Sequence, residues 1–290
     1  MRAGQSSSAP EQNESPQEQA YSPQDEVFSE SDSAIGDDGG PNDDKQNEHL
    51  DIGHHMLTLL LDGKLFLAPI SQNPHKVMDV GTGTGIWAID FADAYPSAMV
   101  IGTDLSPIQP NFVPPNVNFE LDDAQLDWTY GENSFDFVHI RCLMGAINDW
   151  AKLYSEVYRC TKPGGYVESF ETDIQFTSDD GSVEPGHIMH DWSTRIIDAG
   201  ETMRRTFKIP KMSKRLIEAA GFVDVVETTY KVPVGGWMED KKWKEMGRWN
   251  LLYLSKGQEG MALYILMNVL NVGYAVLITS FANMESLPYY

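Results

Sequence analysis

Three glycines occupy alternate positions directly behind a short apolar run, in the sequence VMDVGTGTGIW at residues 77–87. Glycine has no side chain and tolerates positive φ, so Gly81, Gly83 and Gly85 let a ligand lie against bare backbone. A helix that begins here adds free N–H groups to the same surface. A dinucleotide-binding fingerprint requires a further glycine where Ile86 stands, so the spacing argues against a nicotinamide cofactor.

Acidic residues end the next two predicted strands. The run MVIGTD ends in Asp104, whose carboxylate can accept hydrogen bonds from both hydroxyls of a ribose. The run VNFELDDA contains Asp122 and Asp123, and we favour Asp123 as the carboxylate that faces the ligand. Three strand ends in chain order therefore carry the groups that one nucleoside needs.

Alternating strands and helices are predicted to position these groups. Apolar residues at helical spacing indicate a first helix from about Leu50, which Asp62 and Gly63 end. From Lys76 the strands VMDV, MVIGTD, VNFEL, FDFVHIR and GGYVESFE alternate with helices such as GIWAIDFADAY and DWAKLYSEVYR. This order predicts right-handed crossovers and a doubly wound, mostly parallel α/β sheet. Its ligands bind at the carboxyl ends of the strands.

The chain resembles the class I S-adenosylmethionine-dependent methyltransferases, and among them the fungal LaeA-like group. The resemblance covers about residues 48–260 and rests on Asp79-x-Gly-x-Gly-x-Gly, DLSPIQP, DDA, DWTY, KPGGYVESFE, GFVDVVE and GRWNLLYL. It implies a Rossmann-like fold, S-adenosylmethionine as methyl donor and a role in fungal secondary metabolism. A helical insertion at residues 172–215 would shape the acceptor site. The expected activity is methylation of a small molecule, or methylation that regulates its synthesis.

The resemblance also assigns roles at the donor site. An acidic residue at the position of Asp123 accepts from the adenine amino group, and the N–H of Ala124 meets a ring nitrogen. His54 and His55 of the first helix could reach the methionine part of the donor, or form a solvated helix face. Trp128 could stack on adenine, although large aromatic side chains usually fill the core. The predicted donor-binding residues are Asp79, Gly81, Thr82, Gly83, Gly85, Asp104, Asp123 and Ala124.

Methyl transfer from a sulfonium donor demands no particular catalytic residue, because the protein mainly supplies position and desolvation. His139, Arg141 and Glu171 end the fourth and fifth strands and are the candidates for a base. We select His139 and Glu171 as the candidate catalytic residues. A histidine within FDFVHIR is also often a packed strand residue, and Glu171 could orient the acceptor instead. No metal site is predicted, since His187 and His190 have no third ligand that the sequence places beside them.

Charge and composition divide the chain. The formal net charge is −22, and residues 1–48 hold twelve acidic residues against Arg2 and Lys45. Few aliphatic residues accompany them, which predicts a disordered acidic tail at 1–48, either a partner-binding arm or a solvated leader. Residues 49–290 then form the methyltransferase domain. A chain this acidic is not expected to bind nucleic acid directly.

The remaining features concern compartment and the carboxyl end. Two cysteines and no export signal favour an intracellular protein, cytoplasmic or nuclear. Residues 261–290 are atypical for the resembled group, and the run Tyr274 to Phe281 could supply its last strand. No charge lies between Glu259 and Glu285, yet polar residues interrupt the run and membrane insertion is not expected.

Three functional classes are considered from the sequence, and one of them, a nicotinamide oxidoreductase, is disfavoured by Ile86. The first is a catalytic methyltransferase that acts on a small molecule or a protein. The second is a non-catalytic or weakly catalytic donor-binding protein of a velvet-type complex, for which the acidic arm would contact a regulatory protein partner.

Overall fold

The computed structural model describes residues 44–268 of the 290-residue chain. In chain order the elements are α1 (Asp44–Leu60), β1 (Lys76–Val80), α2 (Ile86–Ala94), β2 (Met99–Asp104), β3 (Val117–Leu121), β4 (Phe135–Arg141), α3 (Trp150–Cys160), β5 (Thr161–Phe170), α4 (Ile188–Thr202), a 3-10 turn (Ile209–Lys211), α5 (Ser213–Ala220) and α6 (Lys241–Asn268). Helix α1 already includes residues 44–48, which the sequence analysis placed in the tail.

The strands of this part of the chain form one parallel sheet in the order β3-β2-β1-β4-β5. The chain moves outward from β1 to β3, then crosses back to β4 on the other side of β1. The order therefore reverses beside β1, where α/β sheets bind their ligands. Because all strands run in one direction, the glycine turn, Asp104 and Asp123 meet at the same edge. The predicted doubly wound Rossmann-like fold is confirmed.

Alternating side chains build a separate apolar layer on each face of the sheet. Met78 and Val80 point into the layer covered by α3, whereas Val77 points into the layer covered by α2. Strand β4 repeats this pattern, with Phe137 on the α2 side and Val138 on the α3 side. This period of two is the strand geometry that the sequence predicts. It also places Asp79, His139 and Arg141 on the α1 and α2 face.

Helix α1 packs against α6 through a third apolar cluster. Met56, Leu57 and Leu60 of α1 are buried together with Met246 of α6. On α1 these residues lie one, three or four positions apart, the spacing of one helical face. Leu50 and Asp51, nearer the start of α1, face the glycine turn. The packing thus holds α1 as a cover over the carboxyl edge of the sheet.

The run SKRLIEAAGFVDVVETTYKV at residues 213–232 predicts a helix, a stop at Gly221 and then a strand. That strand is absent from the described residues. Helix α5 ends as expected at Gly221, whose φ is +119°, but FVDVVETTYKV adopts no strand. Val223 and Val226 remain 82% and 85% exposed. A strand needs a neighbour for its hydrogen bonds, and β5 is the last strand on that side of the described sheet. The proposed replacement strand, Tyr274 to Phe281, lies outside the described residues.

Among residues 44–268, no helix combines the length and apolarity needed to cross a membrane. Most of the uncharged run before Glu285 lies beyond this range.

Candidate functional site

All three glycines of the turn between β1 and α2 adopt positive φ, at +67°, +57° and +80° for Gly81, Gly83 and Gly85. An L-residue is strained in this conformation. The space around them differs. A Cβ on Gly81 would meet Leu143, and a Cβ on Gly85 would meet Phe119 of β3. Two of the glycines are therefore required by packing within the protein as well as by backbone conformation.

Gly83 is the glycine that faces the space beneath α1. A Cβ built on it would lie 3.2 Å from Leu50 Cδ1, with no other heavy atom of the described residues within 4 Å. The spacing of the three glycines predicts one reason for all of them, namely a ligand that lies against bare backbone. The geometry restricts that reason to Gly83.

Asp104 reaches from the end of β2 to the glycine turn. Its Oδ2 accepts a hydrogen bond from the Gly83 N–H at 2.7 Å, and its Oδ1 accepts from the Ser106 N–H at 2.9 Å. Each carboxylate oxygen has a second lone pair that can accept from a ligand hydroxyl. Gln109 also connects the loop after β2 to the glycine turn. Its Nε2 donates hydrogen bonds to the carbonyls of Gly83 and Ser106 at 2.7 and 2.9 Å. The Gly83 residue is thus held through both its N–H and its carbonyl.

Gln109 is a site residue that the sequence analysis missed. It lies within DLSPIQP, the run quoted for the family resemblance, but the predicted spacing of strands and glycines does not point to it. A polar side chain in a Pro-rich loop just after a strand was the only available signal.

The end of β3 lies beside that of β2. The N–H of Asp122 donates to the Asp104 carbonyl at 3.0 Å, and Asp123 Oδ1 accepts from the Gln125 N–H at 2.9 Å. The Ala124 carbonyl accepts from the indole of Trp128 at 3.1 Å. Trp128 is only 6% exposed and packs in the layer under α3. It therefore fills the core, whereas Asp123 remains partly exposed at the strand tip.

Asp79 lies inside the fold rather than at the strand tip. Its Oδ2 accepts from the Thr82 hydroxyl at 2.6 Å, and its Oδ1 is 2.7 Å from His139 Nδ1. The His139 ring stacks on Trp87, with centroids 3.7 Å apart. His139 is 2% exposed. These contacts connect β1, β4 and α2, so Asp79, Thr82 and His139 act together to support the glycine turn.

Replacement of His139 by alanine is expected to destabilise the fold by about 3–5 kcal/mol, because it breaks a buried pair and leaves Oδ1 of Asp79 without its partner. Urea denaturation would measure the change in unfolding free energy. His75→Ala is the matched control, since this histidine side chain is exposed and its loss should cost less than about 0.5 kcal/mol. An unchanged unfolding free energy for His139→Ala, combined with lost turnover, would identify His139 as a base instead.

Helix α1 contacts the turn through residues on one face. The Thr84 hydroxyl donates to Asp51 Oδ1 at 2.7 Å, and His54 Nε2 lies 2.9 Å from Asp90 Oδ2 on α2. His54 is buried, and burial, together with the nearby charge of Arg141, lowers its pKa. His55 points away and packs against Trp249 of α6, with ring centroids 4.4 Å apart. Of the two histidines, only His54 faces the glycine-turn side.

Glu171 lies just after β5 and bonds the loop that follows β4. Its two carboxylate oxygens accept from the N–H groups of Leu143 and Met144 at 3.1 and 2.9 Å. Burial raises the pKa of Glu171 to about 8, while the two N–H donors act in the opposite direction. Glu171 is therefore connected to the segment that also supplies Leu143, the residue packed against Gly81.

The raised pKa of Glu171 predicts a pH-dependent stability. Near its ordinary value of 4.5 the unfolded chain releases this proton first, whereas the folded chain retains it until about pH 8. The folded state then binds more protons, so the free energy of unfolding falls as pH rises through this interval. Glu171→Gln cannot ionise and should lack that decrease. Urea midpoints between about pH 5 and 8 would test this against exposed Glu218→Gln, and parallel curves for wild type and Glu171→Gln would contradict it.

The structure brings the three strand tips together but separates the catalytic candidates. The Asp104 carboxylate accepts a hydrogen bond from the Gly83 N–H, which connects the end of β2 to the glycine turn. The Asp104 carbonyl accepts from the Asp122 N–H, which holds the end of β3, with Asp123, beside the end of β2. His139 is enclosed between Asp79 and Trp87, and Glu171 is bonded to the β4–α3 loop.

Both a family model and several known proteins match this sequence. The methyltransferase-domain family matches residues 52–227. The secondary metabolism regulator LAE1 of Cochliobolus heterostrophus is 37% identical over 234 residues, covering 79% of this chain and 76% of that protein. The methyltransferase pytC of Aspergillus terreus is 36% identical over 231 residues, covering 79% and 71%. The secondary metabolism regulator laeA of Aspergillus fumigatus is 35% identical over 227 residues, covering 77% and 60%.

The family match includes the glycine turn, the three strand tips and the helical insertion in one continuous span. The sheet order, the turn at its switch point and these similarities agree with one another. This chain belongs to the methyltransferase-domain family and is a LaeA-like, S-adenosylmethionine-dependent methyltransferase.

Proposed function

We propose that the protein transfers the methyl group of S-adenosylmethionine to an acceptor in fungal secondary metabolism. In this proposal the donor, S-adenosylmethionine, binds across the carboxyl ends of β1, β2 and β3. The observation that carries this proposal is the contact between Asp104 and the Gly83 N–H at 2.7 Å. It brings a carboxylate suited to ribose hydroxyls against the one glycine that faces the space beneath α1. The residues fit the donor chemically, since the tips offer carboxylates for hydroxyl and amino groups and bare backbone between them.

Each tip has a separate task in this proposal. Asp104 accepts from the ribose hydroxyls while it continues to hold Gly83. Asp123 accepts from the adenine amino group, and the Ala124 N–H donates to a ring nitrogen. The turn from Gly81 to Gly85 lies beneath the methionine part. Asp79 and Thr82 support this turn from below through their mutual hydrogen bond of 2.6 Å.

When bound, the donor supplies a methyl group already activated on a sulfonium. The chain then has to position the acceptor in line with that carbon and exclude water. The enclosed position of His139 favours a structural role for this residue over that of a base. Glu171 holds the backbone of Leu143 and Met144, which favours orientation of the loop beside the acceptor. Methylation of an acceptor that needs no strong base is consistent with this arrangement.

Two functional classes are compatible with these residues. The relative pytC is named a methyltransferase, which favours a catalytic protein over one that only binds the donor. The relatives LAE1 and laeA are named regulators of secondary metabolism, which favours the alternative of a regulatory donor-binding protein. We place the catalytic methyltransferase first, because the residues proposed for donor binding lie together at one edge of the sheet. An intracellular location, cytoplasmic or nuclear, is part of the proposal.

Two assays test the proposal in sequence. Calorimetric titrations with S-adenosylmethionine, S-adenosylhomocysteine and NAD should give heat with the first two compounds only. Binding of NAD alone would refute donor binding. Incubation with methyl-labelled donor and fungal extract should then label a small molecule. Label in a protein would favour the regulatory acceptor, and tight donor binding without any labelled product would favour the non-catalytic alternative.

A further inference from the structure

Arg141 is a charged side chain placed beside the glycine turn. The parallel pairing of β1 with β4 aligns Val80 with Ile140, so Gly81 and Arg141 follow directly at adjacent strand ends. Arg141 lies on the same face of β4 as His139, because it is two residues further along the strand. That face is covered by α1 and α2. The guanidinium is therefore placed on the side of the sheet where α1 covers the turn.

The guanidinium has an unusual partner. Its Nη1 lies 3.2 Å from His54 Nδ1. Because an arginine can only donate, His54 must accept through Nδ1, and its Nε2–H then donates to Asp90 at 2.9 Å. A neutral ring satisfies both contacts, in agreement with the lowered pKa of His54. The Asp90–His54 pair thus sets the orientation of Arg141.

No ion pair neutralises the guanidinium of Arg141 among residues 44–268. Within the part of the chain that the structure describes, Arg141 forms no ion pair, and His54 is the only hydrogen-bond partner of its guanidinium. A partly buried charge without an opposite charge is costly. Glu168 lines the same small cavity between α1 and β5, but its Oε2 accepts from the N–H groups of Leu67 and Ala68 at 2.7 and 2.6 Å. The guanidinium therefore has donors available for an anion.

S-adenosylmethionine has one anionic group, the carboxylate of its methionine part. If the ribose lies at Asp104 and the adenine at Asp123, the amino-acid end extends in the opposite direction, over Gly83 and toward β4. The sheet order places Arg141 there, one strand from β1 on the side away from β2. An arginine can bind a carboxylate through two parallel hydrogen bonds.

We propose that Arg141 binds the methionine carboxylate of the donor and that His54 is the positioning residue that aims its guanidinium. This inference rests on the proposed function and adds a specificity to it. The site then selects donors and products that carry the carboxylate, and discriminates against nucleosides that lack it. In this proposal α1 helps to form the donor site. Its Leu50 lies over Gly83, and its His54, one turn later, orients Arg141.

The test compares two ligands that differ at the amino-acid end. S-adenosylhomocysteine carries the carboxylate, whereas 5′-methylthioadenosine has the same adenine, ribose and sulfur without it. Calorimetric affinities of both ligands would be measured for wild type, Arg141→Gln, Arg141→Lys and His54→Phe. Arg215→Gln, an exposed arginine of α5, is the matched control. Thermal unfolding would verify that each variant is folded.

The expected result is selective. Arg141→Gln should weaken S-adenosylhomocysteine about 10-fold or more, the effect of a lost charged hydrogen bond, and change methylthioadenosine less than about twofold. Arg141→Lys should retain part of the affinity, because a point charge replaces a two-pronged donor. His54→Phe should give a smaller loss that is again confined to the carboxylate ligand. Arg215→Gln should match wild type.

Two outcomes overturn the inference. Equal weakening of both ligands would make Arg141 a purely structural residue, and unchanged affinities would exclude contact with the carboxylate. Should Arg141→Gln fail to fold, the ratio of the two affinities in Arg141→Lys decides the matter in the same way. Failure of the proposed function looks different, because wild type would then bind neither ligand.

Discussion

Gly83→Val is expected to abolish donor binding while the protein remains folded. The valine side chain would enter the space between the turn and α1, where Leu50 Cδ1 already lies 3.2 Å from the Cβ position. The φ of +57° adds strain for a β-branched residue. We expect the affinity for S-adenosylhomocysteine to fall at least about 100-fold, or roughly 2.8 kcal/mol. Isothermal titration calorimetry measures this loss directly.

Gly63→Val provides the matched control. Gly63 also has positive φ, at +81°, but no heavy atom of the described residues lies within 4 Å of its Cβ position. The two variants therefore share the backbone strain and differ in what surrounds the new side chain. Gly63→Val should lose stability and retain donor affinity. If both variants bind the donor as wild type does, Gly83 is not beneath the ligand.

The second large effect is expected at Asp104. Asp104→Ala removes the acceptor proposed for the ribose hydroxyls and should weaken donor binding by about 1–3 kcal/mol. The same change releases the Gly83 and Ser106 N–H groups, so a loss of affinity alone has two explanations. Asp104→Asn retains the size and one acceptor oxygen, and should give a smaller loss than alanine.

A double-mutant cycle separates the two explanations. Wild type and Asp104→Ala would each be titrated with S-adenosylhomocysteine and with its 2′-deoxy and 3′-deoxy analogues. A contact between the carboxylate and the ribose predicts that Asp104→Ala no longer distinguishes the ribose from the deoxy sugars. Additive losses of sugar hydroxyl and carboxylate would reject the contact and leave Asp104 as a residue that only orders the turn.

Sequence reasoning predicts the central sheet well, because its signals are local and strong. Each of the five predicted strands, from VMDV to GGYVESFE, is a short apolar run. Helices or turns separate the strands and return the chain to the same end of the sheet. Gly221 similarly ends α5 through its left-handed conformation, which a side chain would oppose. The strand after Gly221 could not be predicted reliably, since its formation depends on a neighbouring strand rather than on its own residues.

In the candidate site, too, features encoded in local sequence can be predicted, whereas features that depend on distant residues cannot. Asp104 and the glycines follow from type and spacing, and the structure brings their strand tips together. The different reasons for the three glycines depend on Leu143, Leu50 and Phe119, which come from distant parts of the sequence. Likewise, the pairing of His139 with Asp79 joins residues 60 positions apart. Such contacts arise only from tertiary packing.

The most direct measurement is a crystal structure of the protein with S-adenosylhomocysteine bound. We predict the ribose hydroxyls within hydrogen-bond distance of Asp104, the adenine amino group at Asp123, and the sulfur above Gly83 beneath α1. A ligand bound away from these three strand tips, or with its ribose remote from Asp104, would contradict the account.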